Sequence, residues 1–291
     1  MNWLHFLFIA ECYVMLALAT NLLAGYAGQM SFASAAFYGI GAYGTSLAMM
    51  QLGLPFAGAL VLAMAVAAVL SLPLAFCSTR TKGLSYVLGS IAFQVVVYRV
   101  FYNWYGLTGG SNGLNVSTHL SFFGWKVDDT LSFCLLTGLI MATFLLFFVW
   151  FRKTPFTRLL TALRADELGS QTLGKNVPAL KYSVHILSAA LLAVPGGLYA
   201  LYADYLAPDA FNLDESILIL STVLIGGMGR GVVGPVAGAL FYVFLPEAVR
   251  QLPLGSNLQG ATVQMLIYSL LLVVVVRFRP NGFFGENYSK H

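Results

Sequence analysis

The sequence predicts an all-α fold: a polytopic transmembrane helical bundle of about eight to ten spans, with glycine-rich segments breaking the helices. Three observations carry that prediction. Charged residues make up 9% of the chain against 59% hydrophobic, with a mean hydropathy of +0.80, whereas a soluble surface needs about a quarter charged. Apolar runs recur at the length of a bilayer crossing. The basic residues gather in the connections on one side of those runs.

A crossing takes about 20 largely apolar residues, each rising 1.5 Å. Runs of that kind fall near residues 4–24, 32–50, 56–77, 84–103, 131–151, 183–203, 216–226, 234–250 and 260–276. The run from Leu131 to Phe151 holds no charge at all, whereas 216–226 is short and meets a glycine cluster. Nine spans is the central expectation. No connection can hold a soluble domain, so residues 1–291 read as one transmembrane domain. The opening Met1-Asn2-Trp3-Leu4-His5 lacks the basic region of a cleaved signal peptide, and the first run reads as a retained span.

Orientation follows from the cations. With nine spans, Arg80, Lys82, Arg152, Lys153, Arg158, Arg164, Lys175, Lys181, Arg230, Arg277, Arg279 and Lys290 share one side, and Arg99, Lys126 and Arg250 do not. The positive-inside rule makes that side cytoplasmic. The other side carries Asp128, Asp129, Asp204, Asp209, Asp214 and Glu215. The C-terminus is then cytoplasmic and, with nine spans, the N-terminus lies on the opposite side; one span more or fewer in the first third would flip the N-terminus alone.

Two glycine segments stand between spans. Gly25-Tyr-Ala-Gly28-Gln29-Met-Ser31 leads to Gly39 and Gly41, and Gly226-Gly227-Met-Gly229-Arg-Gly231 leads to Gly234-Pro235 and Gly238. Irregular backbone at membrane depth persists only where protein or a water-filled cavity shields it, and broken segments at matching places point to a transport pathway. The competing reading is tight turns and small-residue packing faces.

Other chemistry is missing from the sequence. Cys12, Cys77 and Cys134 are too widely spaced for a zinc site or a redox pair. His5, His119, His185 and His291 form no metal motif, and no phosphate-binding Gly-x-x-x-x-Gly-Lys-Ser/Thr loop appears. No metal site and no nucleic-acid partner are expected. His185 reads as a packing histidine, since no other ionisable residue is in helical register with it, with a proton site as the alternative. A stand-alone secondary transporter would use intramembrane acids, of which Glu11 and Glu247 are the candidates. A membrane enzyme would cluster His, Asp or Glu at one face, and no such cluster exists in the sequence. Arg99, near the outer end of its span, is either a snorkelling cation or a cavity-lining residue.

The long cytoplasmic connection at about 152–182 is compatible with an amphipathic helix from Phe156 to Leu173, stopped by Gly174. Such a surface helix serves either as a docking point for a soluble motor subunit or as a connector held by anionic membrane lipid.

The spacing from Glu167 to Gly174 resembles the coupling loop of bacterial ABC importer permeases. The chain from about 20 to 285 is similar to the LivM-type permeases of the branched-chain amino acid importer family. The resemblance is carried by Asn21 through Ser31, Ala36 through Tyr43, Leu107 through Leu114, Arg164 through Gly174, Pro208 through Phe211, Gly226 through Gly229, and Phe278 through Gly282. It implies a helical permease in the bacterial inner membrane, paired with a LivH-like second permease. Two cytoplasmic ATP-binding subunits, which would hold the ATP and Mg, and a periplasmic substrate-binding protein complete the complex. This chain would hold no cofactor and catalyse nothing. Its cargo would be branched-chain or other hydrophobic amino acids, with urea, short amides and aromatic acids as the alternatives among relatives.

Under that resemblance Arg164, Asp166, Glu167, Gly169, Ser170 and Gly174 couple the ATPase to the helices. Gly25, Gly28, Gln29, Ser31, Gly39, Gly41, Gly226, Gly227 and Gly229 belong to the broken-helix pathway. Thr108, Gly109, Gly110, Asn112, Pro208 and Asp209 shape the outer mouth, or are plain turn formers. Two departures stand out: Gly169 and Ser170 replace the alanines of the loop motif, and Arg99 lacks an acidic partner in Phe93-Gln94-Val-Val-Val-Tyr98.

Overall fold

The computed structural model describes residues 3–116, 121–122, 125–126, 130–203, 205–229, 231–251 and 270. Helix α1 (Trp3–Asn21) continues through a π-helical turn, Leu22–Tyr26. Next come α2 (Ser34–Leu52), α3 (Phe56–Leu70), α4 (Leu72–Arg80), α5 (Leu84–Asn103) and the single turn α6 (Tyr105–Thr108). The second half has α7 (Thr130–Phe151), α8 (Pro155–Ala165), α9 (Glu167–Thr172), α10 (Val177–Tyr202), α11 (Leu213–Gly226) and α12 (Val233–Gln251). Sheet among the described residues is limited to two-residue bridges, one of which pairs Leu114 with Leu206 and Asn115 with Tyr205.

Among the described residues, five segments are long and apolar enough to cross a bilayer: Trp3–Tyr26, Phe56–Arg80, Leu84–Asn103, Leu131–Phe151 and Val177–Tyr202. The runs expected at 32–50, 216–226 and 234–250 are also helical, as α2, α11 and α12. The run at 260–276 lies outside the described residues. Helix α10 starts at Val177 rather than 183, because Asn176 caps it by accepting from the Ala179 N–H and Pro178 occupies its first turn. That earlier start places Lys181 one turn before His185, so an ionisable residue does share its register. The expected helix over Phe156–Leu173 is two helices. Asp166 is extended between them (φ −152°, ψ 109°), and its side chain caps α9 by accepting from the Leu168 N–H.

Helix α2 lies at the centre, and its small residues explain both its low hydropathy and its position. A side chain at Gly41 would strike the Ala193 backbone, and one at Gly196 the Tyr38 carbonyl. The α2 and α10 backbones therefore touch directly, which maximises van der Waals contact where lipid gives no hydrophobic drive. Helices α11 and α12 meet the same way, Gly226 against Gly234 and Gly238 against the Thr222 carbonyl.

The helices define two ends. At one, the close of α1 meets α8, and the α4–α5 turn meets α9 and α10. At the other, the start of α1 meets the close of α10, where His5 Nδ1 lies 2.7 Å from the Tyr202 hydroxyl. The Trp3 end of α1 is thus remote from the end that gathers Lys82, Arg164 and Lys181.

Candidate functional site

The two glycine segments occupy adjacent turns at the basic end. The first closes a full-length span, since α1 is continuous into its π-helical turn, and the second links α11 to α12. They are joined by Asn21, a buried residue whose amide donates to the Gly229 carbonyl at 2.9 Å. Its Oδ1 faces the Gly229 N–H at 3.5 Å. Gly25 permits this, because a Cβ there would collide with the Asn21 side chain and reach within 3.0 Å of the Gly229 nitrogen. Gly28 has φ +69°, and a side chain on it would press on Arg164. The Arg164 guanidinium donates to the Gly25 carbonyl, so the first glycine turn is tied to α8 on one side and to the second glycine turn on the other.

After the first turn the chain re-enters the bundle as α2, whose opening N–H groups need partners. Neighbouring helices supply most of them. The Phe32 N–H donates to Ser90 Oγ (3.0 Å), Ala33 to Ser31 Oγ (3.3 Å), Ala35 to Ser216 Oγ (2.9 Å) and Ala36 to Gln94 Oε1 (2.7 Å). Gln94, fully buried in α5, also accepts from the Ser216 hydroxyl and donates to the carbonyls of Phe211 and Asn212. One amide thus joins the start of α2 to the start of α11. Gly39 leaves room for Phe101 and Phe211 to pack against α2.

The expected coupling residues come together around Glu167. Its carboxylate lies 2.9 Å from Lys181 Nζ on α10 and 3.4 Å from Lys82 Nζ in the α4–α5 turn. Lys181 is buried and also donates to the Ser78 carbonyl at 2.8 Å. Burial alone would raise the Glu167 pKa, but the hydrogen bonds and positive charges of Lys181 and Lys82 outweigh it and hold the carboxyl below its ordinary range. Asp166 and Ser170 shape the elbow, with the Ser170 hydroxyl donating to the Asp166 carbonyl at 2.8 Å. A Cβ at Gly169 would come within 2.5 Å of Asp166 Oδ2, and Gly174 ends the segment at φ +73°. Beside this cluster opens a cavity of about 480 Å³, bounded by the first glycine turn with Gly28 and Gln29, by Lys82, Leu84, Tyr86 and Val87, and by Arg164, Glu167 and Lys181.

The expected outer-mouth residues also converge, at the opposite end. Tyr205 donates to the Asn112 carbonyl at 2.7 Å, and Tyr98 donates to Asp209 Oδ1 at 2.7 Å. Several of them do backbone work. Thr108 is buried and its hydroxyl donates to the Phe101 and Trp104 carbonyls that close α5. Gly109 and Gly110 have φ of +76° and +59°, and Pro208 opens a 3₁₀ turn.

Asn21, Gln94 and Lys181 are the residues whose roles the sequence reading missed. Each is a polar side chain within or bordering an apolar run, a usable signal. His185 packs as a satisfied histidine, between the Tyr86 hydroxyl (2.8 Å) and the Lys181 carbonyl (2.7 Å). Glu11 is buried toward Gly138 of α7, with one carboxylate oxygen lacking a hydrogen-bond partner. Arg99 is exposed on α5, over the Tyr98 ring at 6.0 Å. The described residues contain no group of three or more His, Cys, Asp or Glu placed to hold a metal. Asp128, Asp129, Asp204, His119, Arg230, the side chains of Lys126, Glu247 and Arg250, and the residues from Arg277 to His291 lie outside what the structure describes.

Comparison with known proteins is consistent with this architecture. The family model of the branched-chain amino acid transport system permease component matches residues 2–276. The high-affinity branched-chain amino acid transport permease LivM of Salmonella typhimurium is 29% identical over 293 residues, covering 93% of this chain and 67% of its own. LivM of Escherichia coli is 28% identical over the same shares. The ribose import permease RbsC of Haemophilus influenzae is 32% identical over 130 residues, covering 43% of this chain and 38% of its own. No solved structure matches. A helical membrane chain with glycine-joined turns and no catalytic constellation among its described residues thus has permeases as its relatives. It belongs to the family of branched-chain amino acid transport system permease components.

Proposed function

We propose that this permease imports branched-chain or other hydrophobic amino acids, with its basic end in the cytoplasm and its N-terminus in the periplasm. It works beside a LivH-like second permease, above two ATP-binding subunits that hold ATP and Mg, and receives cargo from a periplasmic binding protein. The observation that carries this reading is the continuity of the polar contacts at the basic end. The α8–α9 elbow is held to α10 and to the α4–α5 turn by Glu167, and to the first glycine turn by Arg164. Asn21 extends that connection to the second glycine turn. A push on the elbow by a closing motor subunit would move both turns together. The names of the LivM relatives support the cargo class.

The test is purification of the tagged chain from its native membrane with mass spectrometry of what accompanies it, followed by uptake of labelled L-leucine, L-valine, urea and ribose. Stoichiometric recovery of a second permease and ATP-binding subunits, with ATP-dependent leucine or valine uptake, is the expected result. Recovery of the chain alone in mild detergent would overturn the complex. Uptake of urea or ribose in place of the amino acids would overturn the cargo.

A further inference from the structure

The peripheral helices differ in what they turn outward. Helices α3 and α7 expose aliphatic faces and hold no charged residue. Helix α5 exposes a face of the same kind but sets Arg99 in it, the one charge among its twenty residues. Arg99 stands about 6 Å of helix rise short of Asn103, inside the exposed Trp104 and Tyr105. Side chains on a helix tilt toward its N-terminus and cover the preceding turn. The N-terminus of α5 lies at the basic end, so the tilt carries the guanidinium toward the bilayer interior, away from the nearer headgroups. Arg99 accordingly shares a groove of about 510 Å³ with Val95 and Val96 of the turn before it, and with Val100, Asn103 and Trp104. Lipid on this face would set a cation against hydrocarbon, an arrangement that membrane helices avoid.

All six lining residues belong to α5 or to the residue that ends it, so this chain supplies one wall of the groove. A carboxylate stands near its edge. Asp209 is exposed and accepts from the Tyr98 hydroxyl at 2.7 Å, while Arg99 Cζ lies 6.0 Å over the Tyr98 ring. Cation and carboxylate flank one tyrosine, and among the described residues neither forms an ion pair. We propose that this face of α5 is the half of a cargo site that this chain contributes. Arg99 receives the α-carboxylate of a hydrophobic amino acid, Asp209 its ammonium group, and Val95, Val96 and Val100 its side chain. A planar guanidinium suits a carboxylate, and the groove volume falls in the range of small-molecule sites. The second permease supplies the facing wall. The inference rests on the amino-acid cargo of the proposed function and adds the residues that read it.

The test uses the complex with its co-purifying subunits in nanodiscs, supplied with ATP and the periplasmic binding protein. Photo-leucine, a diazirine analogue of L-leucine, is irradiated during turnover and its adducts are mapped by peptide mass spectrometry. The expected adducts fall on Val95, Val96 or Val100 and disappear with excess L-leucine. Their yield drops roughly tenfold in Arg99→Gln, the loss of one charged hydrogen-bonding partner, and recovers in part in Arg99→Lys. Val96→Phe, which fills the groove and leaves the cation in place, also loses them, whereas Val61→Phe on the exposed face of α3 labels as the native chain does. Undiminished labelling in Arg99→Gln would overturn the site. So would release of the second permease by Arg99→Gln with native labelling in Val96→Phe, which would assign Arg99 to a carboxylate of that subunit. A native complex that imports leucine without labelling α5 would overturn this inference alone, whereas one that imports no amino acid would overturn the proposed cargo and this site with it.

Discussion

Replacing Glu167 with Gln removes one charge from a cluster in which two cations depend on it unequally. Lys181 Nζ is 2.9 Å away with its side chain 4% exposed, whereas Lys82 Nζ is 3.4 Å away and 61% exposed; Glu167 itself is 22% exposed. At an effective dielectric near 20 the closer pair has a gross attraction of about 6 kcal/mol. Most of that offsets the desolvation of Lys181, and breaking a buried pair costs roughly 3–5 kcal/mol. Here the Ser78 carbonyl stays with Lys181, and Gln offers a neutral acceptor, so the net loss is smaller, about 2 kcal/mol. The exposed Lys82 pair contributes about 0.5 kcal/mol. Double-mutant cycles should therefore give a coupling near 2 kcal/mol for Glu167 with Lys181 (Lys181→Met) and near 0.5 kcal/mol for Glu167 with Lys82 (Lys82→Gln). The readout is unfolding of the purified chain in mixed micelles. Because the Glu167 pKa is lowered in the folded chain, its stabilisation is complete above the unfolded value of about 4.3. It fades as pH falls through the depressed folded value, so native and Glu167→Gln should converge only in that acid range. A Lys82 coupling equal to or larger than that of Lys181, or convergence already near neutral pH, would refute the reasoning.

Three further outcomes are expected. Asn21→Ala strands the buried Gly229 carbonyl and should cost about 1–2 kcal/mol; if Asn21 relays motion between the glycine turns, the maximal transport rate falls with KM unchanged, and an unchanged rate would refute the relay. Gln94→Leu leaves the Ala36 N–H, the Ser216 hydroxyl and two carbonyls without their partner, a loss of about 3 kcal/mol or more measured by thermal unfolding; a neutral result would mean these groups rearrange freely. Gly41→Ala forces α2 off the Ala193 backbone and should cost about 1–3 kcal/mol, whereas Gly58→Ala, with its nearest neighbour at 3.8 Å, should be silent in the same melt.

The apolar runs made the spans legible in order, because bilayer thickness sets a length that composition alone can meet. Helix α10 escaped correct bounding since Lys181 stands near its start, a charge that hydropathy counts against a span although the lysine is buried and paired. The elbow at Asp166 escaped because an aspartate inside an amphipathic pattern looks like a solvated face, and only the Leu168 N–H shows it acting as a cap. The glycine segments were visible as glycine. Their contact through Asn21 was not, since it joins positions 208 residues apart and leaves no periodic trace. Gln94 was visible only as a departure from an acidic pattern, whereas its four partners come from three separate segments.

The borrowed caps at the start of α2 bear on how the chain is made. Ala35 waits for Ser216, which lies 181 residues downstream. At a synthesis rate of about 5–20 residues per second, that interval is roughly 10–35 s. During it the nascent α2 has incomplete partners for its opening N–H groups in a membrane that offers none. Helix α2 must therefore linger at the headgroup region, or beside the insertion machinery, until α5 and then α11 arrive. The start of α2 is not sealed until α11 arrives, and truncations ahead of Ser216 should leave α2 accessible to water-soluble labelling reagents.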